Sequence, residues 1–193
     1  MIGAFTWDEG AYRARMSADY NVMLRQLIHE ILIVLDEPGS HAMGTMVAAS
    51  TSLETDRDAP VERALGYLLP TMSSDPRTAS ELRAMTEDHL RGEKSSRLRK
   101  MMESLRQAAE HGDEEICLEG KDVWEWLAAL NDVRLGLAGE LGLDTDADAD
   151  RIVDLAMAEP TGQRDQSAAA VYMLLTWWQD SLLLAMKSRP LEN

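Results

Sequence analysis

The sequence predicts a mainly α fold: a single helical-bundle domain over residues 1–193, with six or seven helices and a small N-terminal β-hairpin. Three observations predict it. Apolar residues recur at three- and four-residue spacing through most of the chain. Strict alternation occurs only in the first sixteen residues. Caps and breakers, among them Ser17, Pro38-Gly39, Pro70, Asp75-Pro76 and Pro160, fall between the periodic stretches. A chain of 193 residues is about one domain in length and can bury a core without disulfides or metal.

In residues 1–16, Phe5 and Trp7 alternate with smaller residues, and Tyr12, Ala14 and Met16 alternate with Arg13 and Arg15. Asp8-Glu9-Gly10 supplies the turn. A lone hairpin is marginal in water, so it should lie on the helical body. Residues 115–118 are a candidate third strand, with Ile116 and Leu118 on one face. Ser17 is the expected N-cap of a helix over 17–36, whose stripe includes Leu24, Ile28, Ile31 and Leu35. Residues 39–60 have no sustained period and read as a long loop with one helical turn near Met46. A short helix spans 61–69, and another spans 76–85 with Pro76 at its first position. Thr86 reads as a fresh cap for a helix over 87–110 that turns Leu90, Leu98, Met101, Met102 and Leu105 inward and stops before Gly112. Helices over 122–141 and 166–187 are apolar on more than one face and should be central. Between them an acidic linker over 144–150 leads into a short helix over 151–157.

Composition excludes several classes. Nineteen Lys and Arg against 34 Asp and Glu give a net charge of −15, unlike a protein that coats nucleic acid or anionic membrane. A single cysteine, Cys117, allows no disulfide within the chain and no cysteine-rich zinc site. Its position suits a small filler residue, and a redox role would need a second thiol from another chain. No apolar run approaches the roughly 18 residues of a membrane helix, and an acid stands where a signal peptide carries a basic start. A soluble cytoplasmic protein is expected. The run DTDADADRIVD fails as a calcium loop in both registers, because Ala149 or Arg151 replaces the required glycine and Leu155 or Met157 the bidentate glutamate. None of His29, His41, His89 and His111 lies in a metal-binding spacing, and His29 is expected to be packed. No nucleophile elbow, dinucleotide fingerprint or phosphate loop is present. No catalytic residue, metal or cofactor is expected.

Two constellations remain. Residues 91–106 carry Arg91, Lys94, Arg97, Arg99, Lys100 and Arg106 against Glu93 and Glu103, so 6 − 2 = +4. Arg91, Lys94, Arg97, Arg99 and Lys100 are candidate contacts for phosphates or an acidic partner; the other reading is a solvated basic face. Asn131-Asp132-Val133-Arg134 interrupts an apolar helix. Either it lines a ligand or partner pocket, or it is an internal network pairing Arg134 with Asp132 or Asp180 and Asn131 with backbone.

The segment WLAALNDVRLGLAGELGL, residues 126–143, resembles the signature of an actinobacterial family of unknown function, some of whose members are described as transcriptional regulators and as oxidative-stress regulators of the AosR type. LLPTMSSDPRTASELRAMTEDHLRGEKSSRL resembles the family's middle stretch, SADYNVMLRQLIHEILIVLDE its first helix, and YMLLTWWQDSLLLAM its last. The resemblance leaves out 39–60 and 144–166. It implies a cytosolic protein tied to transcription, through a sigma factor or RNA polymerase, and to redox stress. The thiol switch described for the family uses paired cysteines, which this chain lacks.

The leading expectation is therefore a non-enzymatic regulatory protein acting mainly through protein–protein contacts, with direct DNA binding open. The alternatives are a self-associating or adaptor module outside transcription, and a small-molecule binder at Asn131 and Arg134. A homodimer is expected to be possible, because the adjacent pairs Trp124/Trp126 and Trp177/Trp178 cannot all point into one core.

Overall fold

The computed structural model describes residues 1–36, 55–111 and 115–188. Of the expected loop at 39–60, residues 39–54, with the turn near Met46, lie outside the described residues, as does the helix stop at Gly112; residues 55–60 are in neither helix nor strand. The fold is mainly α, with six helices among the described residues and a three-stranded antiparallel sheet.

Strands β1 (Thr6–Asp8) and β2 (Ala11–Arg15) form the hairpin. Glu9 (φ 47°) and Gly10 (φ 86°) both take positive φ, as a two-residue mirror-type turn demands. β3 (Glu115–Leu118) pairs with β2, placing Ala14 opposite Ile116 and Tyr12 opposite Leu118. These four side chains are buried against the helices, while Arg13 and Glu115 form an outward ion pair at 2.9 Å.

Helix α1 (Ala18–Asp36) buries Leu24, Ile28, Ile31, Leu32 and Leu35. Ser17 caps it only with its carbonyl, which accepts from Asn21 N; its hydroxyl accepts instead from the N-terminal ammonium at 2.7 Å. Helix α2 (Arg63–Leu68) crosses α4 (Asp122–Leu141) closely. A Cβ at Gly139 would fall 2.6 Å from Ala64 Cα, so glycine is required there. Tyr67 and Arg63 both bind Asp144 just beyond α4, and burial with that hydrogen bond pushes the Tyr67 phenol up to about 12.

Helix α3 (Pro76–His111) corrects the expected break at Thr86: 76–85 and 87–110 are one helix of 36 residues. Its N-cap is Asp75, whose carboxylate accepts from Thr78 N at 2.8 Å. The Thr86 hydroxyl donates to Leu82 O at 2.8 Å, the bond a threonine makes within a helix and not at its start. Helix α5 (Asp146–Met157) corrects the expected linker. Thr145 and Asp148 form a reciprocal capping box, so the acids open the helix, where its dipole favours them. Helix α6 (Arg164–Lys187) completes the bundle.

The core lies where α1, α3, α4 and α6 meet, around Ile28, Leu98, Leu105, Leu130 and Leu175. Trp178 is its largest fully buried side chain. It stacks on Phe5 at 5.0 Å, meets Trp126 edge-on at 6.1 Å, and donates from Nε1 to Gly3 O at 3.0 Å. This tryptophan therefore docks the N-terminal segment on α6. Each adjacent pair divides: Trp126 and Trp178 face inward, while Trp124 and Trp177 are 64% and 44% exposed. Trp178→Ala should cost about 3–5 kcal/mol in urea unfolding, and Trp124→Ala less than about 0.5 kcal/mol. Equal losses at the two positions would contradict this inward–outward division.

Candidate functional site

The basic stripe of α3 is turned toward its own chain. Arg91 bonds Glu87 at 2.9 Å and donates to Leu35 O at 2.9 Å, satisfying a carbonyl in the last turn of α1. Arg99 meets Asp36 at 2.5 Å, and Ser95 donates to the same carboxylate at 2.8 Å. Lys94 lies 2.5 Å and Arg97 3.6 Å from the Asp132 carboxylate, which is 1% exposed. Lys100 grips Glu125 at 2.7 Å and holds its carboxyl below the usual range. Arg106 pairs with Glu103 and Glu110, and holds the Glu103 carboxyl down to about 2. Six cations thus face Glu87, Glu93, Asp132, Asp36, Glu125, Glu103 and Glu110, and 6 − 7 = −1 replaces the +4 counted along the sequence. Five of these carboxylates lie outside residues 91–106, which is why a local count missed them.

Upstream on the same helix, Glu87 is a buried hub. Its carboxylate, 7% exposed, receives Arg91, Arg83 at 3.3 Å and Arg57 at 3.7 Å. Arg83 also donates to Leu69 O, just after α2. A cleft beside it, lined by Leu69, Met72, Arg83 and Thr86 among others, has room for about one water molecule. Ligand pockets are far larger.

The Asn131–Arg134 segment splits. Residues two apart on a helix point in different directions. Asp132 faces α3, and Arg134 faces α6. The expected pairing of Arg134 with Asp132 or Asp180 is therefore corrected. Arg134 donates to Thr176 Oγ1 at 3.0 Å, Gln179 Oε1 at 2.6 Å and Tyr172 Oη at 3.4 Å, with its guanidinium 5.4 Å from the Tyr172 ring centre. Asp180 is exposed and makes no ion pair among the described residues. Asn131 is half-buried and makes no side-chain hydrogen bond there, against the expected bond to backbone. Tyr172, Thr176 and Gln179, spaced four and three apart, were the readable signal for the partners of Arg134.

Other candidates stand apart from these groups. Cys117 is exposed on edge strand β3, opposite Arg13. His29 is exposed, not packed, and His89 lies 3.6 Å from Glu93 on the surface; His41 lies outside the described residues. Asp144 and Asp148 of the acidic run serve Arg63, Tyr67 and the α5 cap. On the outer side of α4 and α6, Trp124, Trp177 and Leu184 are exposed, as are Val22 and Ile33 on α1 and Met85 on α3. Trp124 shares a helical line with half-buried Ala128, Asn131 and Leu135.

The family described as a domain of unknown function, DUF2017, matches residues 2–186, and the chain belongs to it. No curated protein and no solved structure matches the chain. Among the described residues no helix is long and apolar enough to cross a membrane.

The acids held by cations and caps set a pH dependence. Glu103, Glu125, Asp88, Asp144 and Asp148 all have lowered carboxyl pKa values in the folded chain. Their contribution is present above the unfolded pKa and is lost as pH falls through the folded one. Thermal melts should therefore be flat from pH ~8 to ~5 and fall as pH drops from ~4.5 toward ~2. A melting temperature unchanged down to pH ~2 would contradict the pairing.

Proposed function

We propose that the protein is a non-enzymatic regulatory protein of the cytoplasm that acts through protein–protein contacts on the outer side of α4 and α6, with a component of the transcription machinery as its target. The observation that carries this reading is the exposure of Trp124, Trp177 and Leu184 on the two central helices. Exposed tryptophans beside other apolar side chains are characteristic of contact surfaces. The likeness of residues 126–143 to the regulator family supports the tie to transcription, and those residues form most of α4. Direct DNA contact is not part of the reading, because each cation of the α3 stripe already holds a carboxylate of its own chain.

Tagged full-length chain, recovered from its native host with and without oxidant, tests this reading. RNA polymerase or a sigma factor should come with the wild type in stoichiometric amount, and recovery should fall about tenfold with Trp124→Ser/Trp177→Ser. No transcription component, or equal recovery with the variant, would overturn it.

A further inference from the structure

The outer face of α5 carries acids and apolar side chains that its own chain leaves unmatched. Residues 140–165 hold eight acids and two arginines. Arg151 pairs with Asp148 and Arg164 with Glu140, each at 3.6 Å, and Arg63 of α2 takes Asp144. Three cations against eight acids, 3 − 8 = −5, leave Asp146, Asp150, Asp154, Glu159 and Asp165 exposed without an ion partner among the described residues. Asp146, Asp150 and Asp154 follow one another at four-residue steps along α5. Val153 and Met157 stand on the same side, 40% and 78% exposed. The opposite side is the packed one, where Ile152 clusters with Leu141 and Ala169 and is joined by Leu155 and Ala156.

Helix stability does not account for this line. The helix dipole favours an acid in the first turn, which covers Asp146; Asp154 lies in the last turn, where the dipole opposes an acid. Like charges four residues apart destabilise a helix, and Asp150 has one on each side. Both ends of the helix are nevertheless fixed. The Thr145–Asp148 box caps the start, and Gln166 donates to Ala158 O at 3.0 Å and Glu159 O at 2.9 Å just past the end. The face is formed before any partner arrives, so little ordering is left to binding.

We propose that the outer face of α5 docks a basic amphipathic helix of another protein, with Lys or Arg side chains over Asp146, Asp150 and Asp154 and an apolar stripe over Val153 and Met157. Charge complementarity selects this occupant, because every unpaired charge on the face has one sign. The chain does not supply it from the residues outside the described ones: 37–54 and 112–114 hold no Lys or Arg, and 189–193 hold one. A second copy brings another −15, and nucleic acid or an anionic membrane brings the same sign. A bare metal ion has nothing to place on Val153 and Met157. This face is separate from the α4–α6 contact surface, and neither depends on the other.

Isothermal titration of the purified full chain in about 0.15 M salt tests this, with a synthetic helix of Lys and Leu at amphipathic spacing as the probe. Helices with Glu in place of Lys, and with Ser in place of Leu, are its controls. The Lys–Leu helix should bind one to one, and Asp150→Asn/Asp154→Asn should weaken it about tenfold. Met157→Ser should weaken it at least about threefold. Asp19→Asn/Glu30→Asn removes the same charge from exposed positions on α1 and should change binding less than about twofold. Asp150→Asn/Asp154→Asn should also melt no lower than the wild type, because like-charge repulsion is relieved. No binding of the Lys–Leu helix, or equal binding of either control helix, overturns the proposal. Equal weakening by the two double variants reduces the attraction to bulk charge and overturns it too. A melt lowered by more than about 3 °C in Asp150→Asn/Asp154→Asn assigns those acids to the fold, with the same consequence.

Discussion

The Asp132 carboxylate is buried on α4, the helix at the centre of the bundle. A carboxylate 1% exposed cannot remain charged in an apolar interior without compensation. Lys94 and Arg97 supply it, and both come from α3. The need to neutralise one acid therefore sets the position of a 36-residue helix against the core. Once α3 is placed, three more of its cations fall against the end of α1 and the start of α4. Arg91 reaches the last carbonyls of α1, Arg99 reaches Asp36, and Lys100 reaches Glu125. Asn21 completes the α1–α3 contact by donating to Leu105 O at 2.8 Å.

This arrangement decides where a partner can bind. The stripe is paired to its own chain, with Arg91, Lys94 and Arg97 largely covered and Arg99, Lys100 and Arg106 at the surface, and its charge is balanced by acids of three helices. The opposite flank of α4 is different. There Arg134 is held by neutral groups, and the neighbouring apolar side chains are incompletely covered. One helix thus separates a structural side facing α3 from an exposed side shared with α6. The split follows from helix geometry alone, because Asp132 and Arg134 are two residues apart.

Much of this fold was legible locally. The stripe of α1, the broad apolar surfaces of α4 and α6, and the alternation of β2 all come from short-range periodicity, which needs no knowledge of tertiary contacts. One helix start was read where none exists and one was placed too late, because their caps compete with other readings. Thr86 has the residue type of an N-cap, yet it bonds backward to Leu82. Thr145 and Asp148 do form a cap, but the surrounding acids resemble a linker. The site was less legible. Asp132, Arg134, Lys94 and Arg97 could all be singled out as unusual. Their pairing could not, since the partners come from helices distant in sequence. Thr176 and Gln179 stand in an apolar helix at the spacing that Arg134 requires, and only the antiparallel packing of α4 and α6 makes that spacing meaningful.

A double-mutant cycle on Asp132→Asn and Lys94→Met, read by urea unfolding, tests the clamp most directly. The account predicts that each single change is destabilising and that the two are coupled by at least about 1–2 kcal/mol, because removing one partner strands the other. Additive effects, with a coupling below about 0.5 kcal/mol, would show that Asp132 does not hold α3 and would return the basic stripe to solvent and to an outside ligand.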